Sequence, residues 1–501
     1  MDENSRLGAE YQLVGIPPTA RLELPLLLRV VVRNTGTALW PNAGANLVNL
    51  SYHWLDTHGQ IVDFDGIRAH LPAPLPPGES VELELQVEPP PRAGEYLLAL
   101  DMVEEGVAWF SIDGCAPLTI PISVADAPRN VRRACIIGPI CMINDAVGNH
   151  MISQMRFLQA QGYETLILVE HVDARQPVAL RQHMLAIGLA DVQSGRITPL
   201  TRRALAYFRS ADLYIFQYPI HYPLFEAIAW VDRGVAIVDY HGVTPPQFWR
   251  MQGEGYTGLV EGQRQIRLVR YADYAITHSN FTRDELLRTG AIDPRRIHHM
   301  GYVVPLERFQ PGPHPEHLLQ RYGLTPDQPV LLYVGRMAAN KRIETLVRAF
   351  AHIRERLPHA VLLLIGDYRP GPYAQVVAEA RELARTLDVV DGLIFAGQVP
   401  DAELPAHYQL ADVFVTASLH EGFCIPVVEA MACGVPVVGT DTTALPETIG
   451  AGGLTFRPED PADLAQKVLA LLESRDGEQS TSDDRATVCW DVCVVGIVFV
   501  T

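Results

Sequence analysis

The hydrophobic pattern of the chain changes period near residue 130, and this change limits the fold more than any other feature. From Arg133 onward, short uninterrupted apolar runs alternate with segments whose apolar residues recur every three or four positions: RACIIGPI, then GNHMISQMRFLQAQG, then ETLILVE. Strands buried on both faces, alternating with amphipathic helices, specify a parallel sheet wrapped by helices. Gly162 stands where the first of these helices should be capped. Further strands are expected at 212–218, 234–240 and 274–279, so residues 131–305 form one α/β lobe. A Pro-rich hinge over 305–328 leads to a second, residues 329–473. Its strands are PVLLYVG, AVLLLIG, LIFAG, DVFVTA and VPVVG, and KRIETLVRAFAHIRERL sets Ile343, Leu346, Val347, Phe350 and Ile353 on one helical stripe. Two such lobes leave a cleft between the C-terminal ends of their strands, where open α/β sheets bind ligands.

Before the change, residues 1–125 hold only short β-rich runs such as LLLRVVVRN and VELELQV, broken by Pro/Gly turns, which reads as an antiparallel β-sandwich. The triplet Asp63, Phe64, Asp65 imitates an acidic metal-binding motif, but it lies between sandwich strands where Asp and Gly make a turn. After LALLE, residues 474–501 carry no helical stripe: SRDGEQSTSDDR reads as a solvated linker and VCVVGIVFV as an apolar run, the whole an atypical, truncated or altered tail. The fold class expected is therefore α/β, two Rossmann-like lobes preceded by an all-β domain.

Composition narrows the partners. A formal charge of −18 argues against a general affinity for nucleic acid. Between residues 171 and 210 the balance reverses, with arginines at 175, 181, 196, 202, 203 and 209 against Asp173 and Asp191. That stretch reads either as a peripheral docking face for an anionic membrane or acidic acceptor, or, the favoured reading, as solvated helix faces. Seven cysteines without zinc or redox spacing suit a reduced, cytoplasmic compartment. The polar start MDENSRLGAEYQ is not a secretory signal, and no apolar run reaches the ~18 residues that span a bilayer.

A sugar nucleotide needs cations, backbone donors and carboxylates within one cleft, and the second lobe offers them in order. Gly335 and Arg336 follow its first strand, and Lys341 stands five residues later at a helix start. Both cations can reach a point above the strand end, where charge on a leaving diphosphate would be neutralised. HEGFCIPVVEA is more specific: Glu421 precedes a helix starting near Ile425 or Pro426, whose unpaired amides suit a phosphate, and Glu429 lies on that helix. Gly422 lets backbone approach a ligand closely. The competing explanation of the segment is a helix cap with a solvated glutamate.

These segments, GRMAANK, AGQVP and EGFCIPVVEAMACGVPVV, resemble the retaining GT-B glycosyltransferases of family 4, over roughly residues 131–473. The resemblance implies that Arg336 and Lys341 bind a donor diphosphate, Glu421 a hydroxyl of the donor sugar and Glu429 the ribose. Amides of Gly422, Phe423 and Cys424, at the helix that Ile425 begins, would hold sugar and phosphate, and Gln398 and Val399 would meet the base. Cys424 departs from the glycine common in that loop. In the first lobe, NDAVGNH offers only Gly148 where the family has a glycine-rich loop, and VDYHGVTPP resembles its histidine-bearing loop, making His241 the candidate beside the sugar. Ser279 and Asn280 in THSNFTRDEL are expected as helix caps. The first 120 residues resemble, loosely, immunoglobulin-like accessory domains. The implied activity is hexose transfer from a nucleotide-diphosphate sugar to a saccharide or glycolipid acceptor, with no cofactor and no metal. The alternatives are a nucleotide-sugar-binding protein whose function is carried by the sandwich, and another two-lobed chemistry such as sugar-nucleotide epimerisation or phosphorolysis.

Overall fold

The computed structural model describes residues 7–477, apart from 16–19, 22–24, 45, 91, 126–130, 144, 195–200, 250–253, 303, 305–306 and 368–372. The N-terminal part is built from β1 (Ala9–Val14), β2 (Ala20–Arg21), β3 (Leu26–Asn34), β4 (Val48–Leu55), β5 (Ile61–Asp63), β6 (Ala69–His70), β7 (Ser80–Val87), β8 (Gly94–Glu104), β9 (Ala108–Trp109) and β10 (Leu118–Ala125). One sheet has the order β1-β3-β7 and the other β2-β10-β8-β4-β5, with β6 on β4 and β9 on β8. All pairs are antiparallel except β10 with β2. Burial alternates along β3, and the inward residues share a core with Trp40, Trp54 and Phe110. A strand with one face buried must read this way, because its side chains have period two.

The first α/β lobe contains β11 (Arg132–Ile140), α1 (Ala146–Ala160), β12 (Tyr163–His171), α2 (Val178–Arg181), β13 (Met184–Ala186), α3 (Leu189–Ser194), α4 (Arg202–Ser210), β14 (Leu213–Tyr218), β15 (Val235–Tyr240), α5 (Glu254–Gln265), β16 (Tyr274–Thr277), α6 (Asn280–Thr289) and β17 (Ile297–His299). Its sheet is parallel throughout, ordered β13-β12-β11-β14-β15-β16-β17. The second lobe follows with α7 (Glu316–Tyr322), β18 (Val330–Val334), α8 (Ile343–Arg356), β19 (Val361–Ile365), α9 (Ala374–Thr386), β20 (Leu393–Gly397), α10 (Leu404–Leu410), β21 (Val413–Thr416), α11 (Ile425–Ala432), β22 (Val437–Thr440), α12 (Leu445–Ile449), β23 (Gly453–Phe456) and α13 (Pro461–Gly477). Its parallel sheet has the order β20-β19-β18-β21-β22-β23. Each order reverses direction beside its first strand, between β11 and β14 and between β18 and β21, so two topological switch points open toward one cleft. The five apolar residues of the α8 stripe are all buried. Their burial is worth on the order of 10 kcal/mol relative to an exposed chain.

Three details depart from the sequence reading. The hinge is not all connector: α7 lies inside it, and Phe309, Leu318 and Leu319 pack into the second lobe's core. Its adjacent leucines sit between prolines, which masked a helix of less than two and a half turns. α13 runs to Gly477, past the expected linker start at 474, while the apolar run VCVVGIVFV lies outside the described residues. Among the described residues the arginine-rich stretch forms no single exposed face: Arg203 is buried against Glu88 of the sandwich, 3.2 Å away, and Arg175 pairs with Asp173 at 2.9 Å, while Arg196 lies outside the described residues. Asp65 of the acidic triplet is paired with Arg68. No described helix is long and apolar enough to cross a membrane.

Candidate active site

At the second switch point the turn after β18 is set by Tyr333, whose hydroxyl donates to the Arg336 carbonyl at 2.9 Å. A Cβ on Gly335 would come within 2.7 Å of that hydroxyl, so a larger residue there would displace the phenol that holds the turn. The turn leaves the Arg336 side chain exposed at the cleft, with Tyr373, Asp145 and Glu421 as its neighbours. Asp145 comes from the first lobe, where it caps α1 by accepting from the Val147 and Gly148 amides. Its position opposite Arg336 was not legible in the sequence, since a helix cap carries no sign of what its charge faces.

Lys341 forms an ion pair with Glu421, each with only 13% of its side chain exposed. Burial works to raise the Glu421 pKa, but the Lys341 ammonium, helped by Ser418 and His420, outweighs it and holds the carboxyl below its ordinary value. The loop carrying Glu421 is braced from two sides: Leu419 N donates to Asn340 O at 2.9 Å, and Glu421 N donates to Thr443 Oγ1 at 3.1 Å. Cys424 then caps α11 with φ 80° and ψ 73°. The left-handed region is where a glycine would be favoured, so Cys424 occupies a backbone position suited to the residue it stands in place of. Four residues into α11, Glu429 accepts from the Tyr408 hydroxyl at 2.7 Å. Burial raises its pKa to about 7, with Asp401 adding to the shift and Tyr408 and Arg308 opposing it. Gln398 is exposed and Val399 half-buried on the loop leaving β20.

The structure thus gathers Arg336, Lys341 and Glu421 at the ends of the adjacent strands β18 and β21, with Phe423 and Cys424 leading into α11 and Ile425 and Glu429 on it. Gly148 belongs to the first lobe. It lies in the first turn of α1 rather than in an open loop, and a Cβ there would overlap the Met142 carbonyl oxygen, so its missing side chain makes room for protein backbone. Asp145 starts the helix earlier than the resemblance implied. Gly422 shows the same logic across the cleft: the space a Cβ would fill is taken by the carbonyl oxygen of His241.

His241 follows β15 and is 8% exposed. Its Nε2 meets Gln217 Oε1 at 2.9 Å and its Nδ1 meets the Tyr302 hydroxyl. Burial, with His278 and His150 nearby, lowers its pKa to about 3 against the pull of Asp239. Ser279 caps α6 as expected, with a capping box to Thr282. It also donates to Gly422 O at 2.7 Å, and the Asn280 amide donates to Glu447 at 2.9 Å, so the start of α6 touches the second lobe. His150, Asp239 and His278 are of metal-ligating type and lie within 4.8 Å of one another. Their contacts, at 2.7 and 3.0 Å, have the lengths of direct hydrogen bonds to Asp239.

Comparison with known proteins agrees with this architecture. The profile described as glycosyl transferases group 1 matches residues 328–474. The D-inositol 3-phosphate glycosyltransferase 2 of Catenulispora acidiphila is 33% identical over 223 residues, 44% of this chain and 52% of that protein. The chain therefore spans about half the length of the first relatives it matches. The O-antigen chain mannosyltransferase B of Escherichia coli is 32% identical over 297 residues, 54% of this chain and 74% of that protein. A crystal structure of Anabaena HepE in complex with UDP and glucose superposes with a TM-score of 0.58 at 17% identity, covering 71% of this chain and 94% of the other, a likeness of fold. With two parallel lobes of GT-B type and a relative matched over most of its length, this chain belongs to the glycosyl transferases group 1 family.

Proposed function

We propose that the protein is a retaining, metal-independent hexosyltransferase of family 4, moving a hexose from a nucleotide-diphosphate sugar to an acceptor hydroxyl in polysaccharide, glycolipid or other glycoconjugate synthesis. The observation that carries this reading is the meeting, at the second switch point, of Arg336, the Lys341–Glu421 pair and the α11 N-terminus, with His241 against Gly422 from the other lobe. In this reading the two cations and the first amides of α11 balance a diphosphate and stabilise it as a leaving group. Lys341 and Glu421 are paired with each other, so a donor would divide the pair, phosphate taking the ammonium and a sugar hydroxyl the carboxylate. Glu429 would accept from the ribose diol, and the backbone of Gln398 and Val399 would meet the base.

The same reading makes residues 1–125 an immunoglobulin-like accessory domain, 131–305 the acceptor-side lobe and 329–473 the donor lobe, in a cytoplasmic protein that touches membranes peripherally. The HepE complex and the mannosyltransferase relative support a sugar nucleotide as donor and a saccharide as acceptor. The test is a panel of sugar nucleotides screened by thermal shift and then for transfer or slow hydrolysis, with EDTA present throughout. At least one donor should raise the melting temperature and turn over in the chelator. Binding without turnover of any donor would leave only a binding protein, and activity that EDTA abolishes and Mn²⁺ restores would overturn the metal-independent mechanism.

A further inference from the structure

Beneath the cleft floor, the ends of β14, β15 and β16 and one face of α1 enclose a polar network centred on Asp239, which is fully buried. A buried carboxylate is costly unless it is hydrogen-bonded. Here His278 Nε2 lies 2.7 Å from one oxygen, and His150 Nε2 and the Gln154 and Gln217 amide nitrogens lie 3.0, 2.6 and 3.3 Å from the other. Burial opposes its ionisation, but the histidines at 278, 241 and 150 hold its pKa well below the ordinary value. An ionised carboxylate can only accept, and this orients every neighbour. Gln154 must turn its nitrogen to Asp239, so its oxygen receives Gln217 Nε2 at 2.9 Å. Gln217 must then present its oxygen to His241 Nε2, and that ring nitrogen carries the proton. The other nitrogen, Nδ1, is left to accept from the Tyr302 hydroxyl.

We propose that Gln217 and Tyr302 are positioning residues for His241, holding it as the neutral, Nε2-protonated tautomer so that Nδ1 remains an acceptor for a hydroxyl. This rests on the reading of His241 as the group beside the donor sugar; a sugar hydroxyl reaching Nδ1 would replace the Tyr302 phenol. Tyr302 lies in the connection between the lobes, and its ring stacks on His278 at 3.9 Å and meets Phe423 of the second lobe at 5.3 Å, so it contacts both sides of the cleft. The ionisable groups around His241 are Asp239 two residues before it, His278 after β16, His150 on α1 and, beyond Gly242, His420 with Glu285 at 3.5 Å. Burial of Tyr302 raises its pKa well above the ordinary value, which keeps the phenol a donor.

The test is long-range proton–nitrogen correlation NMR on the full chain with ¹⁵N-labelled histidine, the His241 signals being identified among seventeen histidines by His241→Gln. In the wild type, His241 should stay neutral with Nε2 protonated from about pH 5 to 8, the range in which an ordinary histidine changes charge. Gln217→Glu sets a carboxylate against the Nε2 proton and should bring the titration of the ring into that range. Tyr302→Phe should preserve the tautomer but shift the Nδ1 resonance, since it loses its donor. A wild-type ring protonated on Nδ1 or charged in that range, or two variants that leave its signals unmoved, overturns the proposal. The measurement needs neither donor nor turnover, so its failure is separate from a failure of the donor-site reading.

Discussion

Cys424 shows how much one residue can be asked to absorb. At φ 80° it holds a conformation that costs an L-residue roughly 1 to 2 kcal/mol, and glycine escapes that cost while adding roughly 0.5 to 1 kcal/mol of chain entropy to the unfolded state. Cys424→Gly should therefore stabilise the protein by roughly 0.5 to 1 kcal/mol, and Cys424→Val, β-branched, should destabilise it; urea midpoints decide, and a less stable glycine variant contradicts the strain. Glu429 carries a second residue-scale prediction. Its pKa is raised from 4.5 to about 7, so the folded protein binds more protons than the unfolded chain between those values. Its contribution to stability is fully present below 4.5 and is lost as pH rises through 7. Nucleotide binding has the opposite sign, because a ribose diol needs the carboxylate as acceptor, and affinity should rise between about pH 6 and 8. Glu429→Ala should weaken binding by roughly 1 to 3 kcal/mol and flatten that dependence in calorimetry. An unaltered affinity would remove Glu429 from the site.

At the scale of elements, the two lobes meet where small groups allow it. The His241 carbonyl lies against Gly422, Gly242 faces Gly422 from the first lobe, and the α6 N-terminus bonds to Gly422 O and Glu447. Gly422→Ala should hold the lobes apart, enlarging the radius of gyration in small-angle scattering and slowing turnover while each lobe stays folded. An unchanged scattering profile would mean that the loop gives way instead. Much of this element-level arrangement was legible: the central strands of both lobes, the α8 stripe and α11 with Glu429 on it follow from period and end signals, whereas the short edge strands β13, β17 and β23 do not. α7 was not, because two leucines between prolines carry too little periodicity to mark a helix.

At the scale of the whole molecule, the sandwich is more than an independent spacer. Arg203 of the first lobe has 8% of its side chain exposed and pairs with Glu88, whose own exposure is 22%. Glu88→Ala takes one carboxylate from a buried guanidinium that keeps Glu164 nearby, so it should destabilise by less than the roughly 3 to 5 kcal/mol of a buried charge left alone, and a Glu88→Leu/Arg203→Met double variant should recover most of the loss. Deleting residues 1–127 should still leave a folded core that binds nucleotide, since the sandwich has its own core and the deletion returns Arg203 to water. An insoluble core would show that the two parts fold together.

The sequence by itself determined the lobes, the cleft between them and the residues at the second strand end, because hydrophobic period, turn residues and helix starts act over a few neighbouring positions. Arg336, Lys341, Glu421 and Glu429 all sit within such local signals. Only the tertiary structure decided what faces them. Asp145 reaches Arg336 from a helix cap, Tyr302 reaches His241 from the connection between lobes, and Asp239 draws His150 and Gln154 from α1, Gln217 from β14 and His278 from the end of β16, three separate segments. These partners are far apart in the chain, and each alone reads as an ordinary cap, strand end or helix residue. Their proton donors and acceptors are matched only by the packing of one sheet, and that packing selects the tautomer of His241.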